Sequence, residues 1–152
     1  MMRLRIEVDP ECTEEVVIRA RGMNDEILRV RNAIESVLSD SGEISVKKPG
    51  GTSYIKLRDV LFFETGDSRV WAHTDRECFE CPMTLSELSL KLPVSFEKAS
   101  KSSIVNTSLI RSLVRSPTGI GTASFERSSK KVFISRMYFK SVRGKIEETR
   151  LK

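Results

Sequence analysis

The side chains best suited to chemistry lie in two short stretches in the second half of the chain. One runs from Ser100 to Asn106 and reads S-K-S-S-I-V-N, and the other runs from Ile134 to Lys140 and reads I-S-R-M-Y-F-K. Neither combines the nucleophile, acid and base that bond-breaking requires. Both carry donors that suit a phosphate or the edge of a base, so these residue types favour nucleic-acid binding over catalysis.

Individual side chains in these stretches predict distinct contacts with DNA. Asn106 offers the paired donor and acceptor that match adenine, and Arg136 offers the two parallel donors that match guanine in the major groove. A further set suits the phosphate backbone: Lys98, Lys101, Ser102, Ser135 and Lys140. A polar strand end and a helix start, with Asn106 capping a turn, would explain the same residues without DNA, so both explanations stay open at this point.

Catalytic and metal-binding groups are scarce. His73 is the single histidine, and no serine–carboxylate pattern lies near it. Cys78 and Cys81 have the CxxC spacing, but a zinc site needs a second pair of ligands and a redox pair would open a helix. The turn at 49–51, P-G-G, lacks the lysine and hydroxyl of a phosphate-binding loop. We therefore predict a protein that is not an enzyme, with no metal, no cofactor and no small-molecule substrate.

Charge is distributed unevenly along the 152 residues. Residues 1–96 contain 13 Lys and Arg against 17 Asp and Glu, whereas residues 97–152 contain 13 against 4. A basic end is expected where a protein meets a polyanion, although it also fits an ordinary solvated surface. The chain begins without a signal peptide, has no apolar run of membrane length and carries three cysteines, so we expect a cytoplasmic location.

Residues 1–42 predict a small strand–strand–helix extension. Arg3–Val8 and Glu15–Arg21 alternate apolar and polar residues, which is typical of half-buried strands. A helix is expected from an N-cap at Asn24 to a stop at Gly42. Its apolar stripe at helical spacing consists of Ile27, Val30, Ile34, Val37 and Leu38.

Residues 43–152 predict a mostly β domain with minor α content. Alternating or apolar runs bounded by turns indicate strands at 44–47, 52–57, 60–64, 70–74, 78–83, 103–106, 109–114, 120–125 and 131–134. Thr84 and Glu87 form a capping box that predicts a short helix, which Pro93 ends. The tail from Arg136 to Leu151 predicts another helix.

The order of these segments resembles the LytTR DNA-binding domain. The match covers about residues 43–145 and rests on five pieces in the family's order, which are LRDVLFFE, VWAHT, MTLSEL, SSIVN and ISRMYFK. The resemblance implies an elongated, mostly antiparallel β-fold in which loops, and not a recognition helix, enter successive major grooves. It also implies a bacterial transcription regulator that binds double-stranded DNA sequence-specifically at paired, directly repeated sites.

The resemblance also implies which side chains contact bases. These are Asn106, Arg136 and the turn at 66–69, where Ser68 and Arg69 would add contacts. The chain departs from the family pattern in having Ser100 where a histidine is frequent, and Asp67 would repel phosphate unless it accepts from a cytosine amine.

No receiver domain is expected ahead of the LytTR-like part, so the chain resembles the short regulators of the family. For such regulators the resemblance implies a homodimer on direct repeats and a membrane protein that inhibits it. The competing hypothesis is a protein-interaction module, whose basic C-terminal half docks on an acidic partner or a membrane surface.

Overall fold

The computed structural model describes residues 2–38 and 42–150, and within them the chain forms ten strands and three α-helices. The strands are β1 (Glu43–Lys48), β2 (Gly51–Lys56), β3 (Phe62–Gly66), β4 (Arg69–His73), β5 (Cys78–Cys81), β6 (Phe96–Ser100), β7 (Ser103–Asn106), β8 (Ile110–Arg115), β9 (Gly121–Phe125) and β10 (Ser128–Ile134). The helices are α1 (Asp25–Leu38), α2 (Leu85–Lys91) and α3 (Arg136–Arg150). The predicted continuation of α3 to Leu151 lies outside the described residues.

The strands form two antiparallel sheets. Seven strands pair in the order β2-β1-β5-β4-β3-β7-β6, and three pair in the order β10-β9-β8. The prediction of a mostly β fold with antiparallel pairing is confirmed.

Two apolar clusters cover opposite faces of the seven-stranded sheet. On one face, Phe63 and Ile104 pack with Leu88 of α2. On the other, Phe62 and Val105 pack with the three-stranded sheet and α3. The central strands are therefore buried on both sides, which explains their unbroken apolar runs, and burying each large side chain contributes about 1.5–3 kcal/mol.

The N-terminal segment agrees with the prediction in its helix and differs in its strands. Asn24 caps α1, because its Oδ1 accepts a hydrogen bond from the backbone N–H of Ile27 at 2.9 Å. The side chains of Val37 and Leu38, which were expected in the apolar stripe, lie outside the described part. Residues 2–24 form no strand, so the strands predicted at 3–8 and 15–21 are wrong for the single chain.

Strand β6 was missed by sequence reasoning. Its sequence F-E-K-A-S has little apolar alternation, and its register against β7 shifts between Lys98 and Ser100. The irregularity breaks the two-residue period on which strand prediction depends. The strand leads into the turn that carries Lys101.

Candidate nucleic-acid interface

Turns from both sheets meet at one end of the molecule. The backbone N–H of Thr65 donates to the carbonyl of Ser102 at 2.9 Å, which joins the β3–β4 turn to the β6–β7 turn. The N–H of Ser135 donates to the carbonyl of Ala99 at 2.8 Å, which joins the start of α3 to β6. We call this region, residues 66–69, 100–102, 115–119 and 135–136, the loop edge.

Arg136 lies against the β8–β9 turn. A Cβ atom placed on Gly119, which has φ +93°, would stand 2.7 Å from Cδ and 2.8 Å from Cγ of Arg136. The aliphatic part of the arginine therefore crosses the glycine backbone. Only a residue without a side chain leaves room for that crossing and also adopts this φ without strain.

Arg115 brings a second guanidinium to the same turn. Its Cζ lies 4.9 Å from the centre of the Phe139 ring, a cation–π contact, and its Nη2 lies 3.9 Å from the same Cβ position on Gly119. Arg115 and Arg136 are both exposed. In the described part of the chain, neither forms an ion pair with a carboxylate. Two unneutralised cations at one turn favour an anionic partner.

Lys101 occupies the tip of the β6–β7 turn and is exposed. Serine hydroxyls hold the turn below it, since Ser100 Oγ lies 2.7 Å from Ser103 Oγ and accepts a hydrogen bond from the N–H of Ser102 at 3.1 Å. The Ser102 hydroxyl is exposed and lies 3.3 Å from Ser100 Oγ. The turn therefore presents the Lys101 ammonium group to solvent, on a backbone that these serine hydrogen bonds hold in place.

The remaining predicted phosphate contacts lie on the loop edge or beside it. Ser135 precedes α3, and its carbonyl accepts hydrogen bonds from the N–H groups of Tyr138 and Phe139, so it is the N-cap position of the helix. The Lys98 Nζ lies 5.9 Å from the centre of the Tyr138 ring. Lys140 is exposed on α3. The structure thus places these three near the start of α3.

In the β3–β4 turn, Arg69 forms an ion pair with a carboxylate of a neighbouring strand. Asp67 and Ser68 both have left-handed backbone angles, φ 52° and 62°, as a tight hairpin turn requires. Arg69 Nη1 lies 3.3 Å from a Glu80 carboxylate oxygen, and Lys47 Nζ lies 3.0 Å from the other. These cations lower the pKa of Glu80, mainly through the hydrogen bond from Lys47. Arg69 is therefore drawn towards β5, while Ser68 stays exposed at the tip.

Asn106 cannot read a base in this structure. It is 1% exposed and lies at the end of β7 opposite to the loop edge. Its Nδ2 donates to the carbonyl of Val60 at 3.0 Å. Its Oδ1 accepts from the N–H of Ser108 at 3.2 Å and from the Ser108 hydroxyl at 2.7 Å. The prediction of base reading by Asn106 is contradicted, because the amide is used in holding two backbone segments together.

His73 belongs to a cluster between the two sheets. Its ring stacks on Phe62 at 4.3 Å between centroids, its Nε2 lies 2.8 Å from Glu64 Oε1, and its Nδ1 lies 3.4 Å from Lys130 Nζ. Cys78 Sγ lies 3.9 Å from Nε2, but partial desolvation by the surrounding side chains raises the pKa of this thiol, so it is not an activated nucleophile. The cluster links β4 to β10.

The cluster predicts a dependence of stability on pH. Burial lowers the pKa of His73 below 6.5, and Lys130 lowers it further, against the opposing effect of Glu64. The unfolded chain therefore binds the proton more strongly, so the contribution to stability is present above about pH 6.5 and is lost as pH falls through the folded-state pKa. Urea unfolding at pH 7.5 and 5.5 should show this loss. In His73→Gln, the same comparison should show a smaller loss, and an equal loss would contradict the assignment.

Cys78 and Cys81 do not form a functional pair. Cys78 is exposed and Cys81 is buried in the cluster with Leu88, so they lie on opposite faces of β5. Within residues 2–38 and 42–150, no group of three or more His, Cys, Asp or Glu side chains could hold a metal ion. No helix in those ranges is long and apolar enough to cross a bilayer.

Comparison with known proteins places this arrangement among described folds. Residues 50–147 match the family model of the LytTr DNA-binding domain. Two relatives from Staphylococcus aureus strains MSSA476 and MW2, both described as uncharacterized HTH-type transcriptional regulators, are 29% identical over 147 residues, which is 96% of this chain and 99% of theirs. A solved LytTr DNA-binding domain of a response regulator from Bacillus cereus has a TM-score of 0.63 at 20% identity, and the match covers 68% of this chain and 95% of that chain.

The matched region contains most of both sheets, α2 and nearly all of α3. Although the names of these relatives refer to a helix–turn–helix, no two α-helices follow each other directly in the described residues. The fold of the Bacillus cereus domain is the one seen here, which agrees with the order of motifs in the sequence. Since the family model covers more than half of the chain, this protein belongs to the LytTr DNA-binding domain family.

Proposed function

We propose that this protein is a bacterial transcription regulator that binds double-stranded DNA sequence-specifically through the loop edge. The proposal rests on three basic residues of the loop edge, Lys101, Arg115 and Arg136. They lie on segments that hydrogen bonds and packing hold together. Turns that project from a rigid double-sheet core can enter a major groove as a helix does in other families.

The proposed contacts differ in kind. Arg136 reads a guanine edge, since its guanidinium is exposed while its stem is fixed against Gly119. Lys101, Ser102, Ser135, Lys98 and Lys140 lie along the phosphate backbone. Arg115 joins them, although sequence reasoning missed it. Ser68 reaches DNA only if the duplex extends over the β3–β4 turn, and Arg69 is a weaker candidate because Glu80 holds it.

Binding to fragments of the DNA upstream of the protein's own gene tests the proposal. In a gel-shift titration at physiological salt, sequence-specific binding gives a discrete complex with one fragment and not with random duplex of equal length. The competing interaction module predicts no shift, or a smear that is equal for all fragments. A discrete complex that contains two protomers on one fragment would support binding at paired sites.

Lys101→Ala is expected to weaken binding to all duplexes alike. Removing one phosphate contact makes the plot of log binding constant against log salt concentration less steep by about one unit of slope. Lys91→Ala is the matched control, because Lys91 is an exposed lysine on α2, on the other face of the seven-stranded sheet. Fluorescence anisotropy at 50–200 mM salt would check this, and an unchanged slope in Lys101→Ala would contradict the phosphate contact.

A further inference from the structure

The segment at residues 2–21, which we call the N-terminal arm, leaves a row of apolar side chains in solvent. Leu4, Ile6 and Val8 are 91%, 78% and 88% exposed and alternate with charged residues. A single exposed aliphatic residue is ordinary. Three in strand alternation form one apolar side, which a strand normally covers by pairing and packing.

The backbone of this segment also has no pairing partner among residues 2–38 and 42–150. Residues 3–8 take part in no backbone–backbone hydrogen bond in the described structure, and the arm's bond of this kind joins the N–H of Cys12 to the carbonyl of Asp9 at 3.2 Å. A strand-like sequence with free N–H and C=O groups is a template for pairing with another strand.

The charged residues of the arm are ordered so that two copies, paired antiparallel, bring opposite charges together. We infer that residues 3–9 pair antiparallel with the same residues of a second copy of this chain, about a two-fold axis at Ile6. In that register Leu4 lies opposite Val8 of the second copy and Ile6 lies opposite its counterpart. Arg5 lies opposite Glu7 and Arg3 opposite Asp9, so every charged pair across the strands is of opposite sign.

Neighbouring registers lack this property. Moving the axis to Arg5 places two arginines opposite each other, and moving it to Glu7 places two glutamates opposite each other. Like charges directly across an antiparallel pair are destabilising. The register about Ile6 is therefore selected by charge as well as by the apolar face.

The second half of the arm repeats the apolar side of this pattern and one of its opposite-charge pairs. About Ile18, Val16 lies opposite Ala20 and Glu15 lies opposite Arg21 of the second copy. Two copies thus supply two such pairs, whereas a single isolated two-stranded ribbon is only marginally stable. The inference explains why the alternation at 3–8 and 15–21 exists although one chain forms no strand there.

Charge reversal tests the pairing without DNA, so its outcome is independent of the proposed function. By light scattering coupled to size exclusion, the wild type should have the mass of two chains. Arg5→Glu should have the mass of one chain, because residue 5 then faces Glu7. The double variant Arg5→Glu/Glu7→Arg should have the mass of two chains again. A wild type with the mass of one chain, a higher assembly, or a single variant as dimeric as the wild type would overturn the inference.

Disulfide trapping tests the register. In a Cys12→Ser/Cys78→Ser background, Ile6→Cys places two thiols directly across the pair, where Cα atoms are about 4.5–5.5 Å apart and a disulfide forms readily. Leu4→Cys is the matched control, since its counterpart would lie about 13 Å away along the strand. Mild oxidation should give a covalent dimer of Ile6→Cys and not of Leu4→Cys, whereas Leu4→Cys mixed with Val8→Cys should cross-link. Equal cross-linking of Leu4→Cys alone, or none of Ile6→Cys, would overturn the inference.

Discussion

Replacing Asn106 by alanine is expected to destabilise the fold and to leave DNA preference unchanged in the molecules that remain folded. The variant removes the donor to the Val60 carbonyl and the acceptor for Ser108. Leaving a buried carbonyl unpaired lowers the free energy of unfolding by about 1–3 kcal/mol. Urea unfolding measures this as a lower midpoint at an unchanged m-value.

A second measurement separates the structural role of Asn106 from DNA contact. For Asn106→Ala, the ratio of the affinity for the fragment that forms the discrete gel-shift complex to the affinity for random duplex should equal that of the wild type. Asn32→Ala is the control, because Asn32 is exposed on α1 and its loss should change stability by less than about 0.5 kcal/mol. A variant with wild-type stability and a lost preference would return Asn106 to the DNA interface.

Much of the fold could be predicted because its signals are local. The P-G-G turn between β1 and β2, with Gly50 at φ 83°, and the capping box, in which Thr84 Oγ1 accepts from the N–H of Glu87 at 3.2 Å, need only neighbouring residues. The apolar run at 60–64 predicted a strand, and the structure has β3 there with Phe62 and Phe63 both buried. β6 was missed because its irregular pairing with β7 leaves no period to detect.

The candidate site was harder to predict because its residues depend on distant neighbours. The Asn106 amide suits adenine by residue type. The residue type does not reveal that the side chain lies at the end of β7 away from the loop edge, or that its N–H donates to the Val60 carbonyl. The contact of Arg69 with Glu80, eleven residues away, also depends on strand pairing that the local sequence does not reveal. Arg115 went unnoticed since its partner Phe139 lies on another element. Arg136 lies on the loop edge because the carbonyl of Ala99 accepts a hydrogen bond from the N–H of Ser135, the preceding residue.

Arg136→Ala is expected to reduce discrimination between the shifted fragment and random duplex. A bidentate arginine–guanine contact is worth about 1–3 kcal/mol of preference. Arg136→Lys should not restore it, since an ammonium lacks the planar fork that matches the two guanine acceptors. Competition titrations with the two duplexes measure the ratio directly.

The geometry around Gly119 makes this expectation specific to one side chain. Arg143→Ala is the control on the same helix, because Arg143 is exposed and forms an ion pair with Glu147 at 3.1 Å, away from the loop edge. It should keep the wild-type ratio. Gly119→Ala should behave like Arg136→Ala, since its Cβ would take the space of the arginine stem and displace the guanidinium. If Arg136→Ala weakened both duplexes equally, the guanidinium would be a phosphate contact, and base reading would have to come from another turn of the loop edge.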